Sequence, residues 1–96
     1  MKMHHVVLVR FKTAGKVDGF LADVAAMKSK IAGMESYKSG PYSSPEGLNQ
    51  GLTHGFIMTF ASAAARDEYL THPDHKAIVD AYLPHVENVV AFDFEA

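Results

Sequence analysis

The sequence predicts a single α+β domain in which an antiparallel sheet carries helices on one face. Apolar residues alternate in segments 3–12, 52–62 and 88–95, as they do in strands. In segment 16–34 they recur at steps of three and four residues, as they do in a helix. The order along the chain is strand, helix, strand, strand, helical region, strand, and all 96 residues fit one domain.

The first strand, HHVVLVRF, has large aliphatic residues on both of its faces. Because alternate side chains of a strand point to opposite sides, His5, Val7 and Val9 share one face. Val6 and Leu8 share the other face. A chain this short has only enough helix to cover one side of its sheet, so the second side needs a different cover.

The segment KVDGFLADVAAMKSKIAGM is predicted to form an amphipathic helix, which Gly33 is predicted to end. Its apolar stripe consists of Val17, Phe20, Leu21, Val24, Met27 and Ile31. The next segment, ESYKSGPYSS, is polar and contains Pro41, which is typical of an edge strand. A turn-rich loop, SPEGLNQG, then leads to LTHGFIMTFAS, the clearest strand of the sequence.

The second half of the chain is predicted to contain two helices and a last strand. Ser62 is a favourable N-cap for AAARDEYL, a helix that we expect to stop before the His72–Pro73 step. Pro73 is a favourable first residue for PDHKAIVDAYL, and Pro84 is predicted to end that helix. The alternating segment NVVAFDFE forms the last strand.

Right-handed connections turn this order into a ferredoxin-like, four-stranded antiparallel sheet with both helical segments on one face. The other face then exposes residues such as Val6, Leu8, Ile57, Val90 and Phe92, although the sequence leaves open how the faces of the separate strands match. At about 2 kcal/mol per side chain, leaving five of them in water loses on the order of 10 kcal/mol. A whole domain has a stability of only about 5–15 kcal/mol. We therefore expect a homodimer in which two open sheet faces close into an α/β barrel.

Composition excludes several classes of function. The chain has no cysteine, which excludes disulfides, thiolate metal sites and a cysteine nucleophile. Its net charge is −2 and its nine lysines and arginines are scattered, so no nucleic acid partner is expected. The amino-terminal MKMHHVVLVRF resembles neither a secretory signal nor a membrane span, which favours a cytoplasmic protein without a membrane partner. No flavin, nicotinamide or haem motif is present, and we expect no cofactor.

Four segments, HHVVLVRFK, GLTHGFIMTFAS, YLTHPDHKAIV and VVAFDF, resemble in this order those of the Dabb family, the stress-responsive dimeric α/β-barrel domains. The His-Pro-x-His element at residues 72–75, with Tyr69 before it, is the most specific part. The resemblance covers essentially the whole chain. It implies a ferredoxin-like protomer whose sheet pairs with that of a second copy. It implies no particular activity, because no reaction has been assigned to most members of the family.

Within that family the chain is similar to cofactor-free polyketide cyclases of the olivetolic acid cyclase type, which close a linear polyketide by an intramolecular aldol step. The resemblance implies that His5 and His75 are functional histidines and that Tyr69 is a pocket tyrosine. It also implies that Phe20 lines an apolar pocket between helices and sheet.

The chain departs from the cyclase pattern at two positions. Val24 stands where the cyclases have a tyrosine, and Val86 stands where they have a tryptophan. These changes alter the shape of the pocket and remove a hydroxyl group. The resemblance therefore implies related chemistry on a different substrate.

The residues themselves support a site, because imidazole, with an ordinary pKa of about 6.5, suits proton transfer near neutral pH. His75 shares a helix side with Ile78 and Tyr82, and it converges with His5 if the His5 side of the strand faces the helices. We predict His75 as the base, Tyr69 as hydrogen-bond donor to a developing enolate oxygen and His5 as the orienting residue. The expected ligand is an apolar or aromatic carbonyl compound. Its predicted binding residues are Val7, Val9, Phe20, Val24, Phe56, Val86 and Val89.

Two other functions stay open. A histidine at the edge of a core often only forms a hydrogen bond to a backbone group. If His5 and His75 have such a structural role, the dimer is a non-catalytic stress or stability protein. A cofactor-free monooxygenase, by analogy with other dimeric α/β barrels, is the third candidate. An enclosed, mostly apolar pocket of about 300 Å³ or more that holds both imidazoles favours a ligand site, whereas a cavity filled by Phe20, Met27 and Phe56 favours the stability protein.

A metal site is not predicted. His72 and His75 have the spacing of a helical ligand pair, but Pro73 disturbs their alignment and no third ligand is evident. We expect His72 to shape the break between the two helices instead. Asp93 and Glu87 are predicted to be lone carboxylates, because neither has a partner at the spacing of a glycosidase pair, and we assign them no acid–base role.

Overall fold

The computed structural model describes residues 1–96, the whole sequence, as four strands and three α-helices. The strands are β1 (Met3–Phe11), β2 (Met34–Pro41), β3 (His54–Phe60) and β4 (Val86–Glu95). The helices are α1 (Val17–Ala26), α2 (Ala63–Thr71) and α3 (Pro73–Tyr82). None of the helices is both long and apolar enough to cross a bilayer.

The four strands form one sheet in the order β2-β3-β1-β4, with every neighbouring pair antiparallel. This is the predicted ferredoxin-like topology. It places β2 and β4 at the edges, so the polar, proline-containing segment forms an edge strand as predicted.

The register of the strands decides which residues share a face. Val6 lies opposite Ile57 of β3 and Phe92 of β4, and Leu8 lies opposite Val90. Phe92 is 65% exposed, and Leu8 and Val90 are exposed as well. The five residues predicted for the open face therefore share one side of the sheet, and no helix of this chain covers it.

The opposite side of the sheet carries the helices and the core. Its largest cluster consists of Met3, Val7, Val24, Met27, Ile31, Met34, Phe56, Met58, Phe60 and Tyr69. A smaller cluster of Val9, Phe11 and Val17 continues it toward the start of α1. His5, on the same face of β1, is the one polar residue among the buried side chains. Helix packing on this face therefore encloses an imidazole in apolar surroundings.

Two side chains cap the helices at the predicted junctions. The hydroxyl oxygen of Ser62 accepts a hydrogen bond from the Ala65 amide at 3.2 Å and begins α2. At the α2–α3 break, Nδ1 of His72 accepts a hydrogen bond from the Asp74 amide at 3.0 Å. Because Pro73 has no amide hydrogen to satisfy, the chain restarts as α3 immediately after His72. The predicted role of His72 in this break is confirmed.

The predicted end of α1 is wrong. The α-helix stops at Ala26 and tightens into a 3₁₀ turn over Met27–Ser29, several residues before Gly33. The packing of Met27 and Ile31, both almost fully buried, directs the chain into the core before β2 begins. Gly33 serves packing instead, because a Cβ atom at this position would overlap the Cβ of Ala65 in α2.

Candidate active site

An apolar cavity of about 260 Å³ lies between the helix-facing side of the sheet and the helices. Sixteen residues line it, of which 14 are hydrophobic, and the other two are His5 and His75. No lysine, arginine, aspartate or glutamate is among them. The cavity thus offers two imidazoles and the Tyr69 side chain in otherwise apolar surroundings.

All ten residues predicted for the site line this one cavity. They are His5, Tyr69 and His75, and the seven apolar residues Val7, Val9, Phe20, Val24, Phe56, Val86 and Val89. The sequence did not identify six further lining residues, Leu70, Ile78, Val79, Tyr82, Leu83 and Ala91, as part of the pocket. The structure brings the predicted residues together, and their chemical roles stay predictions.

The cavity is slightly smaller than the roughly 300 Å³ at which ligand pockets usually begin. Phe20 and Phe56 line it without filling it. Met27, the third residue considered as filling, is buried in the neighbouring core and does not line the cavity. The space beside the imidazoles is therefore open to a small ligand.

Tyr69 lies between the two histidines. The centre of its ring is 4.6 Å from that of His75 and 5.9 Å from that of His5, and both pairs meet edge to face. The Tyr69 side chain is only 2% exposed, whereas His75 is half-buried. One phenol is thus flanked by two imidazoles at the wall of the cavity.

Three different elements position these side chains. Strand alternation puts His5 on the helix side of β1, next to Val7 in the core. Tyr69 lies in the last turn of α2, and His75 lies in the first turn of α3. The break at His72 and Pro73 allows the second helix to begin in a new direction, and it brings His75 against Tyr69.

Burial shifts the pKa values of His75 and Tyr69 in the directions that favour their neutral forms. Desolvation lowers the pKa of His75 below its usual value of 6.5, and the proximity of His5 lowers it further, against a hydrogen bond to the Leu70 backbone that raises it. Desolvation raises the pKa of Tyr69 well above its usual value of 10.0. At neutral pH the site therefore presents a neutral imidazole that can accept a proton and a neutral phenol that can donate a hydrogen bond.

Asp93, for which the sequence indicated no carboxylate partner, is held by two side-chain donors. Its Oδ1 accepts a hydrogen bond from Nδ1 of His5 at 2.6 Å, and its Oδ2 accepts one from Nη1 of Arg66 at 2.7 Å. The antiparallel register of β1 and β4 places His5 directly opposite Asp93. Sequence reasoning missed this pair because the register between two strands 88 positions apart is decided by the folded sheet.

The Asp93 carboxylate stays ionised. Partial burial raises its pKa, but the hydrogen bonds from Arg66 and His5 outweigh that effect, and the net pKa lies below the usual value of 3.8. An ionised carboxylate can only accept hydrogen bonds, so Nδ1 of His5 carries the hydrogen. Nε2 is then the His5 nitrogen that is available to a ligand. Glu87, by contrast, forms an exposed ion pair with Arg10, away from the cavity.

The remaining histidines lie outside the cavity. His4 is on the open face of the sheet, where its ring stacks on Phe94 and its Nδ1 lies 3.1 Å from the hydroxyl of Thr59. His54 belongs to β3 and lies 2.9 Å from the Thr53 hydroxyl. No group of three or more histidine and acidic side chains is arranged to hold a metal ion.

Fold and cavity together define a ferredoxin-like α+β domain with a partly open apolar cavity between helices and sheet. The family model described as "Stress responsive A/B Barrel Domain" (Dabb) matches residues 3–96. The chain belongs to the Dabb family.

Curated relatives extend over nearly the whole chain. A stress-response A/B barrel domain-containing protein of Arabidopsis thaliana, At5g22580, is 33% identical over 91 residues, which are 94% of this chain and 82% of the relative. Olivetolic acid cyclase of Cannabis sativa is 25% identical over 97 residues, covering 98% of this chain and 96% of the cyclase. The cyclase is thus a distant relative of full length.

Solved structures share the fold closely. The crystal structure of At3g17210 from Arabidopsis thaliana has a TM-score of 0.88 at 30% identity and covers 98% of this chain and 94% of its own. A dimeric ferredoxin-like protein from Jannaschia sp. has a TM-score of 0.89 at 22% identity over 100% of both chains. The hydroxynitrile lyase of Passiflora edulis has a TM-score of 0.87 at 23% identity, covering 97% of this chain and 91% of the lyase. The last two likenesses concern the fold alone.

Proposed function

We propose that this protein is a cofactor-free enzyme that moves a proton on a neutral carbonyl compound, closing or cleaving a carbon–carbon bond in the cavity of each protomer of a homodimer. The observation that carries the proposal is the position of Tyr69 between His75 and His5 at the wall of an apolar cavity. The ring centres of the base, His75, and the hydrogen-bond donor, Tyr69, are 4.6 Å apart.

The three side chains have separate roles in the proposed reaction. His75 removes a proton from the carbon next to a carbonyl group, and the Tyr69 hydroxyl donates a hydrogen bond to the oxygen on which charge develops. His5, held through Nδ1 by Asp93, orients the substrate with its free Nε2. The apolar lining of the cavity strengthens these interactions relative to bulk water.

The proton returns at the end of the cycle. For ring closure, the carbanion attacks a second carbonyl carbon of the same molecule and forms the new bond. The oxygen of that carbonyl takes the proton back from protonated His75. For cleavage, the same steps run in reverse, beginning with removal of the hydroxyl proton by His75. Neither direction consumes an oxidant, a reductant or a cofactor.

The charge of the lining supports a neutral ligand. No lysine, arginine or carboxylate lines the cavity, so no ion pair offsets the cost of burying a charged substrate. The cavity of about 260 Å³ fits a small apolar or aromatic compound. The relatives add support: a distant relative is named as a cyclase, and a protein of the same fold is named as a lyase.

The open sheet face supports the homodimer. Leu8, Val90, Phe92 and Phe94 remain exposed together on it, and adjoining exposed apolar side chains are typical of an interaction surface. Structures of similar fold, including the Jannaschia protein, are described as dimeric. A second copy placed on this face closes the barrel and leaves the cavity on the opposite, helical side of each sheet.

Exchange of α-protons tests the chemistry without knowledge of the natural substrate. The probes are neutral alkyl and aryl 1,3-diketones in deuterated buffer, and NMR follows the loss of their α-proton signals. We expect the protein to accelerate exchange and His75→Gln to lose about 10²–10⁴-fold of that acceleration. Tyr69→Phe should also lose most of it, since the phenol is the oxyanion donor.

His85→Gln is the matched control, because His85 does not line the cavity. Equal exchange rates for the wild type, His75→Gln and His85→Gln would contradict the proposal. Circular dichroism spectra and melting curves of the three proteins confirm that they are equally folded.

A second candidate is a non-catalytic stress protein whose product is the dimer itself. It is favoured by the description of the matching family as stress responsive and by the modest size of the cavity. In that case His5 and Tyr69 serve packing, and no variant changes the exchange of any probe. The exchange assay therefore separates the two candidates.

A further inference from the structure

We propose that Arg66 is a positioning residue of this site: it holds Asp93, and through Asp93 it fixes the ring orientation and the tautomer of His5. The structural part of the inference depends only on the contacts of these three residues. Its consequence for turnover rests on the proposed function.

The three residues come from three different elements. Arg66 lies in α2, Asp93 in the edge strand β4 and His5 in the neighbouring strand β1. Nη1 of Arg66 donates to Oδ2 of Asp93 at 2.7 Å, and Nδ1 of His5 donates to Oδ1 at 2.6 Å. Each oxygen of the Asp93 carboxylate therefore accepts one hydrogen bond, from His5 or from Arg66.

The location of Asp93 explains why a second donor is needed. Most residues of β4 are exposed, because this strand forms the edge of the sheet and the helices do not cover it. A carboxylate held only by one imidazole is free to rotate about its side-chain bonds at such an edge. Arg66 removes that freedom, because its guanidinium approaches from the helix side and binds the other oxygen.

Arg66 is itself held in place. Its Nε donates to the carboxylate of the adjacent Asp67 at 2.9 Å, and the side chain is only 20% exposed. One guanidinium thus bridges two carboxylates, and the hydrogen bonds to Asp93 and Asp67 raise its pKa above its usual value. The groups around the His5 imidazole are the Asp93 carboxylate, the rings of Tyr69 and Phe56, and His75, whose pKa His5 lowers.

This network decides which nitrogen of His5 faces the ligand. Because ionised Asp93 accepts the Nδ1 hydrogen, Nε2 of a neutral His5 carries a lone pair and accepts a hydrogen bond from a hydroxyl or enol group of the substrate. If Asp93 turns away, both tautomers become accessible and the ring can rotate. Arg66 therefore acts on the substrate indirectly, through Asp93 and His5, and does not line the cavity itself.

Nitrogen NMR of the histidine rings tests the structural part. Spectra that correlate imidazole nitrogens with ring protons are recorded on ¹⁵N-labelled protein at about pH 8, where free imidazole is neutral. We expect wild-type His5 to show the Nδ1–H tautomer and Arg66→Met to shift it toward a mixture that includes the Nε2–H form. Arg66→Lys keeps the cation and should restore most of the wild-type signal.

Arg10→Met is the matched control, because Arg10 also links β1 to β4 through Glu87 but lies away from the cavity. This variant should leave the His5 signals unchanged. Asp67→Asn, which removes only the support of Arg66, is a milder second variant and should give a smaller shift of the same kind if Arg66→Met does not fold. If His5 keeps its wild-type tautomer in both Arg66→Met and Asp67→Asn, the proposal is overturned. The network would then only connect α2, β4 and β1.

The α-proton exchange assay measures the functional consequence. Arg66→Met should lower the exchange rate roughly 10-fold to 100-fold, as expected for a misplaced substrate-orienting group, and Arg66→Lys should recover most of it. If the wild type accelerates no exchange while Arg66→Met still changes the tautomer of His5, the proposed enzymatic function fails and the positioning role stands. If exchange occurs and the tautomer does not respond, the positioning role fails alone.

Discussion

The imidazole of His75 meets the ring of Tyr69 edge to face, with 4.6 Å between ring centres and 61° between ring planes. The two residues belong to different helices and are only six positions apart. The kink at Pro73 is what makes this contact, because one continuous helix would not place positions 69 and 75 on the same side. The geometry of the site therefore depends on a helix break that His72 caps.

His75 is expected to titrate below 6.5, because burial disfavours its protonated form and His5 adds to that effect. Replacing His5 by glutamine should raise the pKa of His75 toward its usual value, since the neighbouring imidazole is lost. A pH titration of the histidine ring protons by NMR measures both values. A pKa of His75 at or above 6.5 in the wild type would contradict its assignment as a desolvated base.

Stability should fall in two stages as the pH is lowered. The pKa of His75 is lower in the folded than in the unfolded chain, so the unfolded chain binds more protons as the pH falls below 6.5. Stability is full above that value and is lost as the pH falls through the folded pKa of His75. Asp93, whose folded pKa lies below 3.8, has the same sign and adds a second loss below that pH.

Urea unfolding at a series of pH values measures these stages. His75→Gln should remove the stage that begins near 6.5 and leave the acidic stage unchanged. Asp93→Asn should weaken the acidic stage instead. An unchanged profile of the free energy of unfolding in His75→Gln would show that the pKa of His75 is the same in the folded and unfolded chains.

Phe92→Asp should convert the protein to a monomer. Phe92 is 65% exposed and lies on the open sheet face, where a second copy would bury it, and a carboxylate at that position cannot be paired by the apolar residues around it. Sedimentation at micromolar concentration measures the change. Leu48→Asp is the control, because Leu48 is 74% exposed but lies in the β2–β3 loop, and it should leave the mass unchanged. A monomeric wild type would refute the dimer itself.

Gly33→Ala should destabilise the fold by about 1–3 kcal/mol, the usual cost of an overpacked contact. The added methyl group overlaps the side chain of Ala65, so α2 and the segment before β2 must move apart. Gly40→Ala, at a position where a methyl group meets nothing within 4 Å, is the control for the change of residue type. Combining Gly33→Ala with Ala65→Gly should recover part of the lost free energy of unfolding, which chemical denaturation measures.

The sequence by itself determined the order of the elements, the fold class and, within each strand, which side chains share a face. Alternation in β1 and β3 is a local pattern, and each strand shows which of its side chains share a side. Together with the resemblance to the Dabb family, it also led to His5, Tyr69 and His75. The N-cap at Ser62 and the helix break at Pro73 were predicted because caps and prolines act within a few residues.

Only the tertiary structure decided the partners of these side chains. Asp93 looked isolated because its donors, His5 and Arg66, are far away along the chain, and only the register of β1 against β4 and the position of α2 bring them together. The early end of α1 has the same origin, since the packing of Ile31 overrides the helical period. Local patterns fix which face a residue occupies, whereas long-range packing fixes which atom it meets.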